Sequence, residues 1–314
     1  MEKLAGDASF RRYFRVVQAA KSYVLMDAPP DREDVTPFLD VRSWLSGADV
    51  RVPVLLAEDQ QRGFLLLEDF GDVTWAASLD DASLAAVSLD EMFDDAWSQL
   101  RLLQGSSPTL SLPLFDISRM QRECDLYLDW YLPKVAEKTP SENERVAFHA
   151  AMRPLLEEID RLPKVPVHLD FHSRNLMIAT GGLPLGVIDF QDAVMGPATY
   201  DPASLLYDCY QNYTEEMRRR QSRRFFEALP EPIASTFEDF EAWHRALRLT
   251  ALQRHIKAIG IFARLAHRDH KQQFLDEIPL TRQHLIEEVS ALNLDVSCVS
   301  LLMMAPAEQE DAVA

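Results

Sequence analysis

Over the first seventy residues, apolar and polar positions fall into short runs that fit strands. FRRYFRV (10–16) and SYVLMDA (22–28) predict two β-strands joined by VQAAK, and VPVLLAED (52–59) and GFLLLEDF (63–70) predict two more around the turn QQRG. Between the pairs, DAPPDRED breaks the pattern. TPFLDVRSWLSG (36–47) then sets Phe38, Val41, Trp44 and Leu45 at helical spacing, with Thr36 before Pro37 as its start. From about residue 80 the period changes. Leu84, Val87, Phe93, Trp97, Leu100 and Leu103 predict a helix within 84–103, and Met120, Cys124, Tyr127 and Tyr131 one within 117–132. The exception is 165–190, where VPVHL, NLMIA and PLGVIDF read as short strands and TGG (180–182) turns the second into the third. Past residue 200 the chain is helical again to about 292, and the tail APAEQEDAVA is expected to fray. The order predicts an α+β protein, with a small sheet-rich part over 1–70 leaving through LEDFGD (67–72) and a larger, mainly helical part over 71–314.

Composition narrows the partners. A hydrophobic share of 47% in 314 residues supplies a real core, and 26% charged residues is an ordinary globular value. A net charge of −18 repels nucleic acid and anionic membrane, so neither is expected as a partner. Cys124, Cys209 and Cys298 lie far apart without a CxxC pair, which signals neither a disulfide framework nor zinc and fits a reducing compartment. MEKLAGDASF lacks the apolar centre of a signal peptide, and no apolar run reaches the ~18 residues of a membrane span. The expectation is a soluble cytoplasmic protein. Its oligomeric state is not fixed by the sequence, and a monomer is favoured.

The chemistry concentrates in HLDFHSRNLMI (168–178), where six polar groups precede an abrupt apolar run. This describes a loop held rigidly beside a strand. His168, Asp170 and His172 alternate and would share one face of a strand, which leaves open an H-x-D-x-H metal site of a hydrolase. A second reading uses more of the chain. Asn175 follows Asp170 by 5 positions and Asp189, in GVIDFQD, follows it by 19, across the hairpin. A loop Asp, an Asn and a second Asp returned by a hairpin form a phosphoryl-transfer constellation. One carboxylate orients and deprotonates the attacking hydroxyl, while the amide and the other carboxylate hold Mg²⁺ on nucleotide phosphates.

"VHLDFHSRNLMI…GVIDFQDA" resembles the aminoglycoside phosphotransferase and choline kinase superfamily, relatives of the protein kinases. GDASFRRYFRV, YVLMDAPP, GFLLLEDFGD, PLGVIDFQDAVMGPATYD and LQRHIKAIGIFARLAHRD look closer still to the anomeric sugar kinases of peptidoglycan recycling, which phosphorylate N-acetylmuramate and N-acetylglucosamine at the C1 hydroxyl. The resemblance runs from residue 6 to about 290. It implies a two-lobed protein-kinase-like fold with ATP in the cleft, Asp170 as base, and Asn175 and Asp189 as Mg²⁺ ligands. Gly6, Asp7, Ala8 and Ser9 would form the phosphate-covering turn. Glu68, Asp69 and Phe70 would form the hinge, its backbone bonding the adenine edge and its acidic side chains solvated. Two positions depart from the pattern. Met26 stands where the superfamily's third strand carries a phosphate-pairing lysine, so Arg12 or Arg15 is expected to substitute. Leu169 stands where relatives commonly have Arg or Gly.

For the acceptor side, 244–271 carries seven Lys and Arg (Arg245, Arg248, Arg254, Lys257, Arg264, Arg268, Lys271) against Asp269 alone. Arg254 and Lys257, three apart, are neighbours on one helix face. They suit an anionic group, either the lactyl carboxylate of N-acetylmuramate or a phosphate, and disfavour a polycationic aminoglycoside. A solvated basic face is the plain alternative. Asp192, His172 and Arg174 are further substrate candidates. RRRQSRR (218–224) reads as an exposed helix face, and Tyr127, Trp130 and Tyr131 as core with sugar stacking as the alternative. Four functional readings stay open: the anomeric sugar kinase, a kinase for another small molecule, a non-catalytic nucleotide-binding regulator suggested by Met26, and the H-x-D-x-H metal hydrolase.

Overall fold

The computed structural model describes residues 2–4, 10–19, 21–81, 88–178, 183–294 and 300–307. The expected phosphate-covering turn Gly6–Ser9 and the hairpin turn 180–182 lie outside them. The elements are, in chain order, β1 (Glu2–Lys3), β2 (Arg12–Gln18), β3 (Lys21–Asp27), α1 (Thr36–Gly47), β4 (Leu55–Asp59), β5 (Phe64–Glu68), α2 (Trp75–Asp80) and α3 (Leu89–Gly105). Then come α4 (Ile117–Leu126), a π-helical turn (Tyr127–Tyr131), α5 (Leu132–Lys134), α6 (Glu142–Asp160), β6 (Lys164–Val167), β7 (Leu176–Met177), β8 (Gly186–Val187) and β9 (Val194–Pro197). The chain ends in α7 (Tyr200–Leu206), α8 (Glu215–Glu227), α9 (Glu231–Ala234), α10 (Phe240–Arg268), a 3₁₀ turn (Gln272–Glu277) and α11 (Ile278–Ala291). This is the α+β class expected, with the small sheet first and helices dominating after it. No helix among the described residues is long and apolar enough to cross a membrane.

By packing, the chain divides into two compact units, residues 1–113 with 166–194, and 114–165 with 195–314. This division differs from a break at 70/71, because residues 71–113 and the hairpin of β7 and β8 group with the first seventy residues. Val187 N–H donates to Arg51 O at 2.7 Å and Ile178 N–H to Val73 O at 2.8 Å.

The first unit holds an antiparallel sheet in the order β1-β2-β3-β5-β4. Tyr13 faces Met26 and Met26 faces Leu65 across it. Met26 and Leu65 are fully buried, so this face of the central strands is the core side. The helix predicted over 36–47 forms at those limits. Its cap is Val35 rather than Thr36, and the Asp34 carboxylate takes the Thr36 N–H at 2.9 Å. α3 starts at a capping box in which the Ser88 hydroxyl and the Glu91 carboxylate serve each other's backbone N–H.

The second unit is built on α10, a helix of 29 residues. The single helix expected over 117–132 is broken by the π-helical turn, and α10 approaches the break directly. A Cβ on Gly260 would lie 2.5 Å from both Leu126 C and Tyr127 N, so only glycine lets the two backbones meet. Gly260→Ala is expected to cost about 1–3 kcal/mol, as overpacking does, lowering the thermal midpoint by roughly 2–4 °C per kcal/mol. An unchanged midpoint in calorimetry would contradict this. Tyr127 and Tyr131 are fully buried, and their hydroxyls donate to the carbonyls of Leu301 (3.1 Å) and Met304 (2.8 Å). They are core residues that pin the 300–307 segment, and sugar stacking is not open to them.

The expectation of an exposed RRRQSRR face is corrected at its first residue. Arg218 is buried, donates to Glu287 at 3.0 Å and to His284 Nε2 at 2.9 Å, and lies over the Tyr207 ring. With Gln221 and Ser222 also buried, this side of α8 faces inward although its sequence is basic.

Candidate active site

The first unit brings together Asp170, Asn175 and Asp189. The loop 168–175 closes on itself through backbone bonds: His172 N–H donates to Asp170 O at 3.0 Å and Asn175 N–H to His172 O at 2.9 Å. The Asn175 side chain ties it further, its Nδ2 donating to Asp170 O at 3.0 Å. That bond fixes the amide's orientation, since a carbonyl only accepts, and leaves Oδ1 as the atom with lone pairs to offer. Ile188 N–H donates to Asn175 O at 3.1 Å, which sets Asp189 one residue past a direct link to the loop. Asp189 Oδ1 accepts from Gln191 Nε2 at 2.9 Å, and the same amide reaches Asp192 Oδ2 at 3.4 Å. Asp189 and Asp192 are exposed and Asp170 and His172 partly buried, while Arg174 projects to solvent.

Two left-handed residues shape this loop. Leu169 has φ +79° and Asp189 φ +63°. An aspartate tolerates that region, but a leucine there is strained by about 1–3 kcal/mol. Leu169 is buried, so its side chain anchors the conformation that aims Asp170 outward.

His168 decides against the H-x-D-x-H metal reading. Its Nε2 donates to Ile188 O at 3.0 Å, and its Nδ1 accepts the Asp170 N–H at 3.2 Å. Both ring nitrogens are occupied, so the imidazole has no lone pair for an ion. Burial lowers its pKa despite the nearby Asp170 and Asp189 charges, and keeps the ring neutral. His168 is the brace joining the loop to the second half of the hairpin.

A cavity of about 220 Å³ in the same unit is lined by Arg51, Glu68, Asp69, Phe70, Met177, Ile178 and Gly186 among others. Glu68 and Asp69 are not the solvated pair expected. Arg51 grips Glu68 with two bonds of 2.7 and 2.6 Å and lays its guanidinium over the Phe70 ring, 4.5 Å from the centroid. Arg15 grips Asp69 at 2.6 and 3.0 Å and reaches Asp72 at 2.6 Å. The Asp69 side chain is 2% exposed. Although burial pushes it up, the Arg15 and Gly71 donors hold its pKa below the usual carboxylate range. The Arg51 bonds do the same for Glu68. Phe70 fits because position 186 is glycine: a Cβ there would lie 2.4 Å from the ring. The Glu68–Phe70 segment is thus a stiff wall clamped by two arginines. Sequence reasoning missed Arg51 entirely, because an isolated arginine before VPVLL carries no motif.

Met26 is fully buried on the sheet. Arg12 pairs with Asp27 at 2.5 Å and stays half exposed.

In the second unit, Arg254 and Lys257 converge on Tyr200. Lys257 Nζ donates to its hydroxyl at 3.2 Å, and the Arg254 guanidinium lies 5.4 Å from its ring centroid. Other cations of α10 are engaged with acids: Arg245 with Glu158, Arg248 with Glu215, and Arg268 with Asp269. The segment is therefore not one uniform basic face.

A family model described as "Phosphotransferase enzyme family" matches residues 1–234. The chain is 38% identical over 275 residues to a Pseudomonas putida protein named N-acetylmuramate/N-acetylglucosamine kinase, covering 88% of this chain and 79% of that one. Among solved structures, a choline/ethanolamine kinase family protein from Mesorhizobium loti matches with a TM-score of 0.63 at 16% identity, over 97% of this chain and 92% of its own. A thermostable mutant of aminoglycoside phosphotransferase APH(4)-Ia, in a ternary complex with AMP-PNP and hygromycin B, matches with a TM-score of 0.59 at 15% identity over 92% of each chain. At such identities the structural likeness bears on fold alone, and it is the protein-kinase-like fold that the motif resemblance implies.

Proposed function

The chain belongs to the phosphotransferase enzyme family, and on that premise we propose that it transfers the γ-phosphoryl group of ATP to the anomeric C1 hydroxyl of N-acetylmuramate and N-acetylglucosamine. The product is the α-1-phosphate, and the setting is cytoplasmic recycling of cell-wall sugars. The observation that carries the reading is the loop-and-hairpin set of Asp170, Asn175 and Asp189. The acceptor is suggested by the name of the Pseudomonas putida relative. Residues 1–70 would cover the nucleotide, with the catalytic loop, metal site and sugar site in 71–314.

In this reading Asp170 accepts the C1 hydroxyl proton as the sugar oxygen bonds to the γ-phosphorus. The bond from that phosphorus to the bridging oxygen breaks, and ADP leaves with the electron pair. An anomeric hydroxyl is more acidic than an ordinary alcohol, so the base completes its task late and at modest cost. Asn175 Oδ1 and the Asp189 carboxylate are hard oxygen donors and fit Mg²⁺, which takes few protein ligands and keeps substrate phosphates and water. When bound, Mg²⁺ supplies charge neutralisation at the β- and γ-phosphates. The Glu68–Phe70 wall takes the adenine, with His172, Arg174 and Asp192 on the acceptor side.

Arg254 and Lys257 are assigned the lactyl carboxylate of N-acetylmuramate. Lys257→Met is expected to raise KM for N-acetylmuramate about tenfold or more while leaving N-acetylglucosamine, which lacks that carboxylate, unchanged. Equal effects on both sugars would remove the assignment. The function itself is tested by acceptor-dependent ADP formation with N-acetylmuramate, N-acetylglucosamine, glucose, choline and kanamycin. Turnover on the N-acetyl sugars supports it. ATP binding without turnover on any acceptor would favour a nucleotide-binding regulator, the reading that buried Met26 keeps alive.

A further inference from the structure

Glu288, on α11, carries a carboxyl group buried where nothing donates to it. Its exposure is 0%, and among the described residues neither of its oxygens has a hydrogen-bond partner. Arg248 Nη1, on α10, stands 3.6 Å from Oε1, outside hydrogen-bond range, and the same guanidinium is already paired through Nη2 with Glu215 of α8. Arg218, also on α8, is taken by Glu287 at 3.0 Å and by His284 Nε2 at 2.9 Å. Both guanidiniums lie over the Tyr207 ring, 4.9 and 5.8 Å from its centroid. The two arginines and their two glutamates cancel, so an ionised Glu288 would leave one uncompensated negative charge in the interior. The buried histidines beside it add no positive charge. His284 Nε2 accepts from Arg218 and His255 Nε2 donates to Tyr207 O at 2.9 Å, and burial lowers the pKa of both rings, that of His284 to about 4. His244 is turned to Ser222 Oγ at 3.0 Å and to Glu215, 3.6 Å away. Asp208, whose charge reaches His284, accepts from Tyr210 N–H at 2.9 Å. Burial pushes the Glu288 carboxyl up to about 8 and the Tyr207 phenol well above its ordinary range.

We propose that Glu288 is kept as the neutral carboxylic acid inside the packing of α8, α10 and α11, and that its ionisation loosens this packing as pH rises. Unfolding hands Glu288 to water, where it is a carboxylate above its ordinary value of 4.5. Between that value and about 8, the folded chain holds a proton that the unfolded chain has released, so stability falls with rising pH. His255 and His284 act in the opposite sense. They are neutral when folded and titrate near 6.5 when unfolded, so they cost stability only as pH falls below that value. The interval from 6.5 to about 8 therefore isolates Glu288 within the cluster. None of these groups belongs to the phosphoryl-transfer set of the first unit.

The test is calorimetric melting of the wild-type chain and of Glu288→Gln at about pH 6.5 and about pH 7.5. Glutamine keeps the shape of the side chain and cannot ionise. Over that interval the wild-type equilibrium is expected to move about tenfold toward the unfolded chain relative to Glu288→Gln, read as a midpoint about 2–4 °C lower. Midpoints that change in parallel overturn the proposal. Should Glu288→Gln fail to fold, the wild type decides by infrared spectroscopy of chain isotope-labelled at its glutamate carboxyls. The carbonyl stretch of a protonated carboxyl is expected at about pH 6.5 and is lost as pH passes about 8. Its absence at the lower pH means an ionised Glu288 and overturns the proposal as well.

Discussion

Asp170→Ala is expected to lower kcat by about 10²–10⁴-fold, the usual worth of a positioned general base, with little change in ATP affinity. The loss should be confined to chemistry for a structural reason. The bonds that shape the loop use the Asp170 backbone: its carbonyl accepts from His172 N–H and Asn175 Nδ2, and its N–H donates to His168 Nδ1. Truncating the side chain leaves all three in place. The buried Leu169 that holds the strained turn is also untouched. Loss of an interaction used only in the transition state appears as equal falls in kcat and kcat/KM. A variant retaining its rate at saturating acceptor would remove Asp170 from the base role.

Asp189→Asn should be nearly as damaging, through the metal. Asp189 sits at φ +63°, and asparagine tolerates that region as aspartate does, whereas alanine would add strain to the loss of charge. The asparagine variant therefore reports the carboxylate's charge. Charge stabilisation by a bound ion is worth several kcal/mol, so turnover should fall by about 10²-fold or more, and the Mg²⁺ concentration for half-maximal rate should rise. A kinetic Mg²⁺ titration reads both. An unshifted midpoint would mean that the metal is held elsewhere.

The parts of this protein that were legible in its sequence are those where local pattern and final environment agree. The β-rich runs SYVLMDA and GFLLLEDF predicted β3 and β5, and Phe38, Val41, Trp44 and Leu45 face the core from the helix their spacing predicts. That Asp170, Asn175 and Asp189 meet was legible because they lie on one loop and the hairpin that follows it. Other features depend on what lies across from them in space. The π-helical turn at 127–131 answers to Gly260, more than a hundred positions away. Arg218 reads as solvent-facing until His284 and Glu287 are placed beside it. Glu68 and Asp69 read as a polar strand end, and only folding supplies Arg51 and Arg15 to clamp them.

The most direct test of the central claim is phosphorus NMR of the product formed from ATP, Mg²⁺ and N-acetylmuramate. The account predicts a phosphate coupled to the C1 proton of an α-configured sugar. A phosphate on any other hydroxyl of the same sugar would contradict it.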